Sequence, residues 1–232
     1  MELISLKRTV LSEEVAENLR KLIIEDKLKP GSKLPNEIEL SKTMGVSRST
    51  LREAIKVLAS KNILEVIRGK GTYISQQPGL IKDPLGVHFI QDKNIILSLF
   101  EARIIIEPGV AALAAERASK TDLKRIKNCN LNMRNAIRNK EPYHIEDLEF
   151  HIAIAEATRN PIIHRIVPII NDAIVQGYME TVHLPGAAER AVEHHHQIYE
   201  AIYQKHPDFA REMMKNHLEE AANDIKTKLL NV

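Results

Sequence analysis

The chain has 232 residues, of which 44% are hydrophobic and 28% are charged, and its net charge of +2 suits a globular protein of one large domain or two small ones. Its longest stretch without a charged residue, 71–81, is too short to span a bilayer. The first residues lack the long apolar stretch of a secretory signal, and a single cysteine excludes an internal disulfide. These features predict a cytoplasmic protein with no membrane partner.

The first third of the chain alternates helical patterns with sharp breaks. A first helix is predicted to be capped by Ser12 and to carry an inward apolar stripe that includes Leu22. A second, short helix follows Pro35, with Ile38 facing inward, and a third helix follows Gly45. This part of the chain is therefore predicted to be helical up to the strands that follow.

Two β-rich runs, 63–67 and 72–75, come after the third helix. They are joined by Arg68-Gly69-Lys70-Gly71, a glycine-rich tip that is typical of a hairpin. Three short helices followed by a hairpin predict a winged helix-turn-helix domain over residues 1–75.

The rest of the chain is predicted to be helical. Residues 76–93 contain two prolines and two glycines and are interpreted as a linker. Beyond the linker no convincing strand pattern occurs, and helical periodicity covers six segments, 94–118, 121–139, 142–158, 161–182, 188–204 and 207–230. Pro108 should kink or split the first of these helices. The predicted fold is mainly α, an N-terminal winged helix-turn-helix followed by an all-α helical bundle over 94–232.

Basic residues are concentrated in the predicted winged helix-turn-helix domain. Residues 42–70 hold seven basic residues against two acidic ones. Two helices joined by a tight turn can be an ordinary structural unit, but here the second helix presents Arg48 and Arg52 on one face, where they can reach phosphates and base edges. The basic hairpin tip can enter a neighbouring minor groove. The candidate DNA-contacting residues are Arg48, Ser49, Thr50, Arg52, Arg68, Gly69 and Lys70.

A strong resemblance to the N-terminal domain of GntR-family bacterial transcription regulators is carried by LKPGSKLPNEIELSKTMGVSRSTLREAIKVLASKNILEVIRGKGTYI. It covers about residues 9–75. The resemblance implies a homodimer that binds an inverted-repeat operator in double-stranded DNA, with recognition helices in successive major grooves and wings in the minor groove. Many FadR-like members have Arg where this chain has Ile38, so one contact to the operator is expected to be missing.

All ten histidines lie after residue 75, and three of them, His194, His195 and His196, are consecutive. On the predicted helix His195 lies on one inward stripe and His196 on the adjoining one, whereas His194 faces a more polar side. Periodicity therefore does not decide between His195 and His196.

Three helices of the predicted bundle carry inward polar residues. Asp147 and His151 lie one turn apart on one helix face, and His217 lies on the inner stripe of the last helix. With the histidine triplet they can converge in the core, as metal-binding bundles do, and this set of donors suits Zn²⁺ or Ni²⁺ better than Ca²⁺ or Mg²⁺. The alternative is an ordinary ion pair between Asp147 and His151, with the other histidines satisfied in the core or at the surface.

The second part of the chain resembles the FCD-type ligand domain of FadR-like GntR regulators, through FEARIIIEPGVAALAAER, DLEFHIAIAEAT and EHHHQIYEAI…FAREMMKNHL. The family pattern contains an Asp-x-x-x-His pair, a later His, and a final His 22 residues on. The resemblance therefore implies Asp147, His151, His195 and His217 as metal ligands, with Zn²⁺ expected first and Ni²⁺ or Mn²⁺ as alternatives. It leaves His194 and His196 as bystanders.

The resemblance also implies a cavity beside the metal in which a small carboxylate effector binds, with Arg103 facing it. The alternative for Arg103 is an intrahelical ion pair with Glu107. These features predict a homodimeric DNA-binding transcription regulator, a repressor, whose operator affinity is controlled by a carboxylate effector.

Two other functions follow from the same residues. In the first, the metal itself is the signal. In the second, the chain is a metalloenzyme, because three histidines and an aspartate around an open position can activate water. No inward Glu, Ser or Cys is expected to serve as a base or nucleophile, so an enzyme is not expected.

Overall fold

A computed structural model describes residues 7–81, 83–87, 90, 94–181, 184 and 186–230. The chain divides into two compact units, Met1–Pro84 and Leu85–Val232, and the boundary falls inside the segment 76–93 that was interpreted as a linker. Outside the described residues lie 82, 88–89 and 91–93 of that segment, and 182–183, 185 and 231–232 of the predicted bundle. Among the described helices, none is long and apolar enough to cross a membrane.

The first unit is a winged helix-turn-helix, as predicted. Strand β1 pairs antiparallel with β2, from Leu64 opposite Ile74 to Ile67 opposite Gly71, and an isolated bridge joins Lys33 to the second strand. Its described elements are α1 (Lys7–Glu25), α2 (Glu37–Thr43), α3 (Arg48–Ser60), β1 (Leu64–Ile67) and β2 (Gly71–Ile74).

Three details of the first unit differ from the predictions. Helix α1 begins at Lys7, so Ser12 lies inside it, buried in the apolar stripe instead of capping the helix. Leu22 is 40% exposed because the buried stripe is centred between Leu19 and Ile23 and leaves Leu22 at its edge. Ile38 is 49% exposed, because α2 turns its other face to the core.

The second unit is an all-α bundle, which confirms the predicted fold class. A large core includes the fully buried side chains of Phe150, Ile154, Ile198 and Leu218. Its helices are α4 (Ile95–Arg117), α5 (Lys120–Arg138), α6 (His144–Ala157), α7 (Ile163–Thr181), α8 (Ala187–Tyr203) and α9 (Pro207–Leu230).

Pro108 was predicted to kink or split the first helix of the bundle, and it does not split α4. The helix runs from Ile95 to Arg117 without interruption, although Pro108 has no N–H to donate to the preceding turn. Glu107, Pro108, Val110 and Ala111 are all buried. Packing of α4 against α9 and the neighbouring helices offsets the missing hydrogen bond. Helix α7 contains Pro168 in the same way.

Candidate DNA-binding surface and candidate metal centre

Helix α3 presents its two arginines to solvent. Ser47 caps the helix, because its Oγ accepts a hydrogen bond from the Thr50 N–H at 3.1 Å. One face of the helix is buried in the core of the first unit, so Arg48 and Arg52 are exposed on the other. The Ser49 hydroxyl is also exposed and lies 2.9 Å from Ser47 Oγ. The buried face consists of Leu51, Ala54, Ile55 and Leu58.

Arg52 has a partner that the sequence did not indicate. Its Nη2 lies 3.1 Å from Oε2 of Glu37 on α2. The two residues are fifteen positions apart, so no local helical spacing could have revealed the pair. The exposed pair contributes little to stability, but it holds the guanidinium over the surface of the first unit.

The hairpin tip is exposed and its backbone is accessible. Arg68, Gly69 and Lys70 are all exposed, and the Lys70 N–H donates to the Ile67 carbonyl at 3.0 Å to close the turn. Gly69 has φ 76°, in the left-handed region that favours glycine. The tip therefore presents two cations around a residue without a side chain, which suits entry into a narrow groove.

Four side chains of the second unit converge in its core. Helix α6 supplies Asp147 and His151, α8 supplies His195, and α9 supplies His217, and all four are buried. One potential ligand atom from each lies within 4.8 Å of the others. The Nε2 atoms of His151 and His217 are 3.3 Å apart, and His195 Nε2 is 3.4 Å from Asp147 Oδ1.

The histidine triplet is divided by burial. His195 is completely buried and its ring stacks on Phe150, with a centroid distance of 3.8 Å. His196 is exposed. His194 was expected to be a bystander, but it lines the cavity beside the cluster and its Nε2 lies 3.2 Å from Glu220. The polar side of α8 that carries His194 packs against α9, and this contact accounts for the difference.

The chemistry of the cluster fits a divalent metal. Burial lowers the pKa values of His195 and His217 well below the usual range, and neighbouring histidines, first His151 for His195 and first His195 for His217, lower them further, so that both rings are neutral and keep a lone pair. Within the part of the chain that the structure describes, neither ring nitrogen of His195 has a hydrogen-bond partner. Buried polar atoms without partners are costly, and a cation among one carboxylate and three imidazoles would satisfy them. The donor set is one that borderline ions such as Zn²⁺ and Ni²⁺ prefer.

The carboxylate of Glu107 is buried next to the cluster and contacts His151, a contact that the sequence did not indicate. Arg103 Nε donates to Glu107 Oε1 at 2.6 Å, and Glu107 Oε2 lies 2.6 Å from His151 Nδ1. Burial alone would raise the pKa of Glu107, but Arg103 and His151 hold it well below the usual range, so the group is ionised. Glu107 thus faces inward but is paired with Arg103 and His151, and the alternative pairing of Arg103 with Glu107 is present.

Arg103 also lines a cavity beside the four converging side chains. The cavity measures about 60 Å³, and since one water needs roughly 10–15 Å³ by this measure, it admits a ligand of a few heavy atoms. Asp147 and His217 contribute to its wall. At its other side Arg190 Nη2 lies 2.6 Å from Asp224 Oδ2. Both described arginines of the wall thus have carboxylate partners within the chain.

Comparison with known proteins identifies the family of each unit. Residues 11–74 match the family "Bacterial regulatory proteins, gntR family", and residues 98–220 match the "FCD domain". The "HTH-type transcriptional regulator LutR" of Bacillus subtilis is 30% identical over 203 residues, covering 85% of this chain and 93% of that protein. The "Putative L-lactate dehydrogenase operon regulatory protein" of Escherichia coli is 33% identical over 221 residues, covering 90% and 83%.

A solved structure is similar over nearly the whole chain. "Streptococcus agalactiae GntR" is 34% identical, covers 91% of this chain and 99% of its own, and superposes with a TM-score of 0.81. The family matches and these relatives are regulators of transcription and not enzymes. The chain therefore belongs to the gntR family of bacterial regulatory proteins, as a DNA-binding transcription regulator whose second unit is an FCD domain.

Proposed function

We propose that this regulator is a repressor whose operator affinity is controlled by a small carboxylate effector, bound beside a divalent metal in the FCD domain. The observation that carries the proposal is the convergence of Asp147, His151, His195 and His217 beside a cavity that Arg103 lines. The protein is proposed to act in the cytoplasm, where bacterial DNA lies.

The four converging side chains would hold the metal, with Zn²⁺ expected first and Ni²⁺ or Mn²⁺ as alternatives. When bound, the ion would supply positive charge and a coordination position for an oxygen ligand at the cavity wall. Arg103 supports the carboxylate class, because it lines the cavity, its Nη2 has no hydrogen-bond partner among the described residues, and guanidinium groups bind carboxylates well. One relative's name refers to an L-lactate dehydrogenase operon, so L-lactate is the first effector to test.

The first test measures operator affinity with and without metal and effector. An operator selected from random duplexes would be titrated with the full-length protein, loaded with Zn²⁺ or stripped of it, over a range of small carboxylates including L-lactate. The active carboxylate is expected to weaken operator binding about 5- to 150-fold, the usual range of coupling between two sites, and only in the loaded protein. An operator affinity that no carboxylate changes in the loaded protein would contradict the proposal.

The same titration tests a second candidate function. The cluster is complete without any organic ligand, so the metal itself can be the signal. In that case Zn²⁺ alone would change operator affinity by a comparable factor, and carboxylates would add nothing.

A homodimer and an inverted-repeat operator are also proposed. One winged domain presents only α3 and the hairpin tip to DNA, which is a small interface for selecting a site in a genome. Two-fold pairing doubles the interface and requires half-sites related by the same symmetry. Light scattering is expected to give twice the mass of the chain. A monomer that binds an isolated half-site with full affinity would exclude this assembly.

A further inference from the structure

We propose that Glu107 is a positioning residue that couples Arg103 in the cavity wall to the metal ligand His151. The inference rests on the proposed metal and effector site. It adds a carboxylate that is neither one of the four proposed metal ligands nor one of the residues that line the cavity. Glu107 would set how His151 is presented to the ion and would transmit a change at Arg103 to that ligand.

The contacts of Glu107 form a continuous buried chain. Its two oxygens are divided between partners on two helices, with Oε1 at 2.6 Å from Arg103 Nε on α4 and Oε2 at 2.6 Å from His151 Nδ1 on α6. The exposed fractions of the three residues are 2%, 3% and 1% for Arg103, Glu107 and His151. Water therefore does not screen these contacts, and each partner feels the charge of the carboxylate strongly.

Glu107 also determines which nitrogen of His151 is available to a metal. A carboxylate beside Nδ1 favours the tautomer in which Nδ1 carries the proton, and the lone pair is then on Nε2. Nε2 is the atom that lies 3.3 Å from His217 Nε2, inside the cluster. The contact with Glu107 thus leaves the lone pair of His151 on the nitrogen that lies nearest to His217.

Arg103 is a partner of Glu107 and also lines the cavity. Its Nε donates to Glu107, whereas its Nη2 is buried and has no hydrogen-bond partner among the described residues. A carboxylate bound in the cavity against the guanidinium of Arg103 would compete with Glu107 for its positive charge. The negative charge of Glu107 would then act more strongly on His151, because Arg103 would neutralise less of it.

The alternative is that Glu107 only stabilises α4 through its pair with Arg103. Such a role predicts a lower melting temperature when Glu107 is changed, but an unaltered metal affinity in the protein that remains folded. Metal affinity and the tautomer of His151 therefore distinguish the two roles.

The experiment compares Glu107→Gln with Glu101→Gln in the full-length protein. Glu101 is an exposed glutamate of the same helix, so its substitution removes the same charge without touching the cluster. Zn²⁺ affinity is measured by competition with a chromophoric chelator, well below the melting temperature, and the ring ¹⁵N shifts of His151 are recorded without metal. Glu107→Gln is expected to weaken Zn²⁺ binding about 10- to 100-fold, the usual effect of losing such a partner, and to shift His151 away from the Nδ1–H tautomer. Glu101→Gln should behave as wild type.

Coupling to Arg103 is tested by a double-mutant cycle with Arg103→Met. If Glu107 links the two groups, the effects of Arg103→Met and Glu107→Gln on Zn²⁺ affinity are not independent, and the double variant departs at least about threefold from the product of the single effects. The double variant also removes both buried charges, so it provides a folded protein if Glu107→Gln leaves Arg103 unpaired and unfolds the chain.

The outcomes separate this inference from the proposed function. Wild-type protein that binds no Zn²⁺ would overturn both. Wild-type protein that binds Zn²⁺, with unchanged affinity and an unchanged tautomer in Glu107→Gln, would overturn the role of Glu107 and leave the metal site standing. If the effect of the double variant on Zn²⁺ affinity equals the product of the two single effects within error, the coupling to Arg103 is overturned.

Discussion

Replacing His195 with alanine is expected to remove the metal from the FCD domain, whereas His196→Ala should leave the metal content unchanged. His195 is fully buried and one of its ring nitrogens lies within 4.8 Å of a donor atom from each of the other three residues, while His196 is exposed on the same helix. Loss of an outer partner of a ligand already costs about 10–100-fold in metal affinity, so loss of the ligand itself should cost more than about 100-fold. The two variants differ by one position and remove the same group.

Elemental analysis of untagged protein measures this difference. His194→Ala should keep the metal, because His194 lies on the cavity wall and pairs with Glu220 instead of joining the four donors. Metal retained in His195→Ala and lost in His196→Ala would mean that the helix register is wrong by one residue. Metal absent from wild-type protein prepared with added Zn²⁺ would make the cluster a polar core without an ion.

Metal removal should also lower the melting temperature of the wild-type protein. Helices α6, α8 and α9 each contribute to the cluster, so an ion that binds only the folded state stabilises their packing. His195→Ala should melt near the temperature of metal-stripped wild type and should not respond to added Zn²⁺. A melting temperature that Zn²⁺ raises equally in both proteins would place the ion elsewhere.

The fold could be predicted because several helices, α3 among them, have strong amphipathic patterns. In α3 the apolar residues at 51, 54, 55 and 58 fix the buried face and leave the arginines outside. The exposed positions of Leu22 and Ile38 were missed because an apolar residue at the edge of a stripe, or on a helix of two turns, is not forced inward by its pattern.

The candidate site was less accessible to sequence reasoning. Successive helical residues differ by about 100° in direction, so periodicity alone could not choose between His195 and His196, and the family spacing made the choice. The contact of Glu107 with His151 was missed because α4 is apolar on nearly all sides and its pattern does not indicate an inner face, so only the pair with Arg103 was considered. The position of Glu107 four residues after Arg103 was the available signal.

Contacts between distant elements were beyond local patterns altogether. The pairing of Arg190 with Asp224 across α8 and α9, and that of Arg52 with Glu37 across α3 and α2, depend on how helices pack. Both pairs lie at surfaces that are proposed to bind a partner, the cavity wall and the DNA-facing helix. Sequence periodicity predicted which helix carried each arginine, but the partner came only from the fold.

Arg48→Ala and Arg52→Ala should each weaken operator binding by about 1–3 kcal/mol, if the side chains contact base edges. Both arginines are exposed opposite the buried face of α3, so their removal creates no cavity and thermal unfolding should hardly change. Arg20→Ala is the matched control, because it removes an arginine with its own exposed glutamate partner from α1 of the same unit. Its operator affinity should stay near that of the wild type.

The salt dependence of binding then separates two roles for each arginine. A residue that neutralises a phosphate lowers affinity for all sequences when removed and reduces the slope of log affinity against log salt by about 1. Removal of a residue that reads a base edge relaxes the preference at one operator position.

Glu37→Gln is a further experiment, because it frees Arg52 from its partner at 3.1 Å without removing the guanidinium. If the pair orients Arg52 for reading, Glu37→Gln should weaken selectivity at the position that Arg52→Ala relaxes. Wild-type affinity and selectivity in both arginine variants would mean that α3 is not the recognition helix.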